Sequence, residues 1–205
     1  MKYYPERLDP VSQTPHDWEK RYHDLLGERL KTDAPFFARI IICPAFSGES
    51  CMRLHGKGDE QRCFDQTESF FITHTTADKS IWYSMPENNE TADKRDVKVS
   101  TRTAAIPPPI AKRICRLFQR FLLLPKNDFP GGGLDGITYE FATPSSKGEA
   151  WCPGAPHLAG LFAELGKQMI DYCESPSDEK RAGFLKDIET KTAAIEERFP
   201  PEPDR

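Results

Sequence analysis

The residues of this chain best suited to chemistry are two groupings of thiols and imidazoles. The first is Cys43, Cys51, His55 and Cys63, three soft ligands and one imidazole within a single segment. Those are the donor types of a structural zinc site. Such sites use a Cys-x-x-Cys knuckle because the short turn aims both thiolates at one point, and no such pair occurs here. Cys43 lies in an apolar run and reads equally well as a small buried hydrophobe. A second set, Cys115, Cys152, His157 and Cys173, is a weaker metal candidate, since Cys115 and Cys173 fall on or near apolar helical stripes.

Cys152 is also the thiol that best suits a nucleophile, set between Trp151 and Pro153 with His157 close behind. With His157 as base and Asp135 as the orienting group, the three would serve a cysteine-dependent hydrolase or transferase. Two prolines separate Cys152 from His157, so the spacing alone imposes no hydrogen bond, and His157 also suits the start of the helix that follows. Carboxylates are so frequent that no acid pair stands out from the sequence.

The turn Pro130-Gly131-Gly132-Gly133-Leu134-Asp135-Gly136 allows positive φ angles and feeds an alternating segment in which Ile137, Tyr139 and Phe141 share one face of a half-buried strand. A phosphate-binding loop follows a strand, opens onto a helix and supplies Lys-Ser/Thr. Here the order is helix, turn, strand, and no lysine follows Gly136, so the turn reads as a tight connection that Asp135 stabilises through its own backbone. No cofactor motif is present, and none is expected.

Trp82, Tyr83, Tyr139 and Trp151 suit either ordinary packing or a groove for a partner, where such residues are enriched. The acidic stretch with Glu87, Glu90 and Asp93 reads as a solvated connection or as a recognition loop for a basic partner.

The elements that must position these groups follow from periodicity. A helix is expected over 14–31, with Thr14 as cap and Pro15 at the first helical position. The apolar run 36–43 reads as a central strand covered on both faces, and 51–55 as a second strand. Residues 69–75 and 80–85 read as the arms of a β-hairpin, 96–103 as a further strand and 143–156 as a loop. Ile110, Ile114, Leu117, Phe118 and Phe121 mark a second helix, and Leu158, Leu161, Phe162, Leu165, Met169 and Tyr172 a third. Ser175 caps a fourth with Pro176 at its first position, whose stripe is Phe184, Leu185, Ile188, Ile195 and Phe199. Strands gathered in the middle with helices before and after give an α+β class: a mainly antiparallel central sheet flanked by about four helices. The expectation is a single domain over 1–205, with 175–199 a C-terminal helix and 200–205 a frayed tail.

Composition bounds the partners. The 205 residues carry a net charge of −4 and no Lys/Arg block, so a phosphate-backbone partner is disfavoured and no nucleic acid is expected. Thirteen Phe, six Tyr and three Trp suffice for a packed core. No run approaches a membrane span or a signal-peptide core, so no membrane partner and a cytoplasmic location are expected. The six cysteines are then expected as reduced thiols.

At Gly133-Leu134-Asp135-Gly136-Ile137-Thr138-Tyr139-Glu140-Phe141, followed by Trp151-Cys152-Pro153 and a helix rich in Leu and Ala, the chain resembles a class of small bacterial proteins. That class carries a Gly-Leu-Asp-Gly-x-x-Tyr turn-strand before a Trp-x-Pro loop. The resemblance covers residues 110–172. Some proteins of this build resemble immunity proteins that neutralise secreted bacterial toxins. It implies binding, carries over no catalytic residue and leaves out the segment from Cys43 to Cys63. The leading expectation is therefore a non-catalytic module for a cognate protein partner, an immunity or inhibitor protein acting on a toxin, with Glu87, Glu90, Asp93, Trp82 and Trp151 as partner-binding residues. The alternatives are the cysteine enzyme and the zinc protein.

Overall fold

Hydrophobic alternation in the strands and the stripes of three helices give an α+β fold. The computed structural model describes residues 6–11, 16–57, 63–85, 96–127, 133 and 135–199. Its elements run α1 (Asp17–Leu30), β1 (Ala38–Pro44), β2 (Ser50–Gly56), β3 (Phe70–Ala77), β4 (Val99–Ile106), α2 (Pro108–Leu123), β5 (Ile137–Thr143), β6 (Ser146–Trp151), α3 (Leu158–Glu174) and α4 (Asp178–Glu196). Short 3-10 helices occupy Phe64–Gln66 and Trp82–Ser84. All pairings are antiparallel, in the order β4-β3-β2-β1-β5-β6. β1 is central, as its apolar run requires.

One face of the sheet carries Ile40, Met52, Leu54, Phe70, Ile72 and Phe141, all buried, against α2 and α3, with α4 packed outside on both helices. Ile110, Ile114, Leu117, Phe118 and Phe121 all turn into this core. Phe121 stacks on Phe162 at 4.2 Å, and Phe118 meets the same ring edge-on at 5.1 Å. Tyr139 and Phe141 share this face, whereas Ile137, at the strand's start, stands exposed.

The opposite face is covered by α1, whose Leu26 and Leu30 bury against Ile41, Cys51, Ala77, Ile81 and Val97. Around that small apolar patch the face is polar: Arg39 pairs with Glu140, and His55, Thr73 and Thr103 form a hydrogen-bonded row.

Four expectations are corrected. α1 begins at Asp17 with His16 at its N-cap, where the His16 amide donates to Glu19 Oε2 at 2.8 Å; Thr14 and Pro15 lie outside the described residues. Residues 80–85 are not a hairpin arm. The Glu49 carboxylate captures the amides of Ile81 (2.6 Å) and Trp82 (3.1 Å) and the Ser80 hydroxyl, which folds the segment into a 3-10 turn. The free edge of β3 goes instead to β4, with Ala77 opposite Val99. The expected loop 143–156 contains β6, which pairs with β5 from Thr143–Ser146 to Thr138–Trp151. Its polar residues hide the strand because one side of it faces outward. The fourth helix starts at Asp178, with Ser177 rather than Ser175 accepting from the Lys180 amide at 3.4 Å. Pro176 thus precedes the helix, and the Ser177 cap is the residue whose hydroxyl reaches a free helical N–H.

Candidate functional site

The four candidate zinc ligands are spread over two strands and the connection that follows them. Cys43 and Cys51 lie on β1 and β2, facing α1, and burial pushes both thiols up to about 12, which holds them protonated. His55 uses both ring nitrogens, Nδ1 at 2.7 Å from the Gly56 carbonyl and Nε2 at 2.8 Å from Thr73 Oγ1. Burial lowers its pKa, so the neutral ring is favoured. Cys63 is exposed before the first 3-10 helix. Among the described residues no three His, Cys, Asp or Glu side chains are gathered so as to hold a metal ion. In the second set, Cys115 and Cys173 are buried core residues. All six cysteines are unpaired.

Cys152 and His157 are directed to different partners. Cys152 closes the β5–β6 ladder: its amide donates to the Ile137 carbonyl at 2.8 Å, and the Ile137 amide donates to its Sγ at 3.3 Å. It does so with φ 44, in the left-handed region. Gly136 beside it has φ 141, and a Cβ there would collide with the Cys152 sulfur and the Trp151 ring. The glycine is thus required both by its backbone angle and by close packing. His157 stands at the N-cap of α3, with Nδ1 3.5 Å from Glu6 Oε1. The capping is done by Glu6, whose Oε2 accepts from the Leu158 amide at 3.0 Å. His157 thus holds the N-cap position, but its side chain makes no capping hydrogen bond, and a distant carboxylate supplies it. Asp135 sits at the foot of β5, and no bond from it to either residue is seen among the described residues.

What the structure does gather is apolar side chains at one end of the sheet. That end comprises the C-termini of β1, β3 and β6 and the N-termini of β2, β4 and β5, as the pairs Pro44–Ile137, Thr138–Trp151, Ser50–Thr76 and Ala77–Val99 show. Among the described residues, seven large hydrophobic side chains are exposed: Trp18, Phe46, Tyr83, Val99, Leu123, Ile137 and Trp151. All but Leu123 lie at this end. Phe46 is 72 % exposed on the β1–β2 connection, beside Ala45, whose amide donates to the Gly136 carbonyl at 2.8 Å. Trp18 meets Trp82 edge-on at 5.3 Å, and Tyr22 meets Trp82 in the same way at 5.3 Å. Trp82 is thus half-buried in an aromatic cluster, with its neighbour Tyr83 at the surface.

Of the sequence-nominated partner residues, the structure brings Trp82 and Trp151 to this end; Glu87, Glu90 and Asp93 lie outside the described residues. Sequence reading missed Phe46, Trp18 and Val99, because each stands in a pattern that predicts burial or an ordinary connection. It also missed Glu49, fully buried, which accepts from Tyr22 Oη at 2.9 Å besides the three donors of the 3-10 turn. No helix among the described residues is long and apolar enough to cross a membrane. In comparisons with known proteins, no family model, no curated protein and no solved structure matches the chain.

Proposed function

We propose that this protein is a non-catalytic binding module that engages a protein partner through the end of its sheet. The observation that supports this is the concentration of Trp18, Phe46, Tyr83, Val99, Ile137 and Trp151 at that one end. Exposing so many large apolar groups in one region carries a solubility cost that a binding surface offsets, and aromatic residues in such places dominate binding energy. The Cys152–His157 alternative lacks the nucleophile–base contact a cysteine enzyme needs, since each side chain is directed elsewhere. The turn-strand resemblance over 133–141 points the same way, to an inhibitor or immunity protein whose partner is a toxin.

The test is affinity capture from cells that produce the protein, with stoichiometry read by quantitative mass spectrometry. The partner should be recovered near one-to-one by the native chain and by a Leu123→Ser control. The Phe46→Ser/Trp151→Ser pair should lose about tenfold or more of it while keeping the native circular dichroism spectrum. Equal recovery by that pair would remove the sheet end from the interface. Charge reversal at Glu87, Glu90 and Asp93 should slow association and reduce its salt dependence. No kinetic effect would take that segment out of the encounter.

A further inference from the structure

Beside α1, on the polar side of the sheet, lies a cleft of about 370 Å³ that none of the sequence motifs anticipates. Its wall is apolar, built by Val11, Trp18, Leu26 and Ile41. Its floor is a carboxylate pair, because β5 and β6 place Glu140 directly opposite Glu149. Side chains directly opposite in an antiparallel pair stand on the same face, with Cβ atoms about 5 Å apart. The two acids are unlike. Glu140 is buried and ion-paired with Arg39, whose guanidinium also donates to the Thr32 carbonyl at 2.8 Å. The Glu149 carboxylate has no hydrogen-bond or ion-pair partner among the described residues, and the backbone of its strand is held by an antiparallel bridge to Asp9. The basic groups of the cleft, Lys20 and Lys147, are exposed at the rim.

We propose that this cleft binds a small primary amine with an apolar body of ring size, the ammonium pairing with Glu149 and the body lying against Trp18 and Ile41. The volume falls in the range of small-ligand pockets, about 300–1,000 Å³, and an apolar wall with one polar anchor is their usual composition. A cation fits better than an anion. The inner charged groups are carboxylates, and only Glu140 is ion-paired, so an anion would meet negative charge at Glu149. An ammonium would supply the partner that Glu149 lacks.

The chemistry has a pH signature. Glu149 is faced by Glu140 from β5, Asp9 from the N-terminal segment, Lys147 from its own strand, Cys43 from β1, and Glu19, Lys20, Tyr22, His23 and Asp24 from α1. Burial, then Glu140, then Asp9 raise its pKa to about 7. An ammonium pairs with the ionised form, so affinity rises as pH is raised through that value, and binding below it expels a proton. The cleft shares Trp18 with the sheet end, but its anchor, Glu149, is no part of that surface, so amine binding is read separately from partner capture.

The test is isothermal titration of the folded protein with 2-phenylethylamine, at about pH 5.5 and about pH 8, with 2-phenylethanol as the uncharged control. Saturable binding of the amine, about tenfold or more tighter at the higher pH, is expected. The alcohol should bind far more weakly. Glu149→Gln should lose the affinity and the pH dependence, and Leu123→Ser, exposed on α2 away from the cleft, should keep both. Three results would overturn the proposal: no saturable binding by the folded native protein, a flat pH profile, or equal affinity for amine and alcohol. The pH profile and the alcohol control need no variant, so they decide the matter even if Glu149→Gln misfolds.

Discussion

The two faces of the sheet are built on opposite principles. The face under α2 and α3 is a continuous apolar layer in which Phe118, Phe121, Phe141 and Phe162 interlock, and its strength comes from area and close packing. The face under α1 has a small apolar patch surrounded by carboxylates, arginines and threonines. There, cohesion comes from hydrogen bonds to fixed partners, Glu49 and Arg39 above all. The aromatic layer is filled by interlocked rings. A polar layer spanned by one helix leaves a cleft, and its buried charges are the groups whose protonation can be shifted.

The contrast can be tested by how each face responds to loss of one side chain. Phe162→Ala removes a fully buried ring between Phe118 and Phe121 and should cost about 3–5 kcal/mol in chemical denaturation. Glu49→Ala leaves the amides of Ile81 and Trp82 buried without an acceptor and should cost about 2–4 kcal/mol. If Glu49→Ala proved the more damaging of the two, the ranking of the faces would be reversed.

Glu149 gives a pH-dependent comparison. Its folded pKa of about 7 lies above the ordinary value of 4.5, so the folded state binds the extra proton between those values. Stability from this group is fully present below about pH 4.5 and is lost as pH rises through 7. Glu149→Gln should therefore gain about 1–2 kcal/mol near pH 8.5, after allowance for solvent screening, and nothing near pH 4. Urea melts at the two pH values measure this directly; equal changes at both would show that Glu149 is not desolvated. The smallest effect is expected from Tyr22→Phe, which deletes one of four donors to Glu49 and should cost about 1 kcal/mol. A cost as large as that of Glu49→Ala would mean that the Tyr22 bond, not the 3-10 turn, anchors α1 to the sheet.

The apolar face was legible in the sequence because its elements obey simple periods. The stripes Ile110 to Phe121 and Leu158 to Tyr172, with Ile40 and Ile42 of β1, point their apolar residues to the observed core, which makes the α+β class readable. The polar face was not legible. β6 and the 3-10 turn at Trp82–Ser84 carry residues whose local preferences are indifferent, and distant groups decide their structure. Glu49 reaches across 31 to 33 positions to fold that turn, and Glu6 caps α3 from 152 residues away. The same holds for the candidate sites. Cys152 and His157 are neighbours in sequence that take separate partners, while Glu140 and Glu149 meet only because β5 and β6 pair in one register. Local sequence determined which segments bury an apolar side, because burial acts on each segment's own period. The tertiary fold alone decided which polar groups meet, because hydrogen bonds and charges between distant residues require the strand register and helix placement that the whole chain sets.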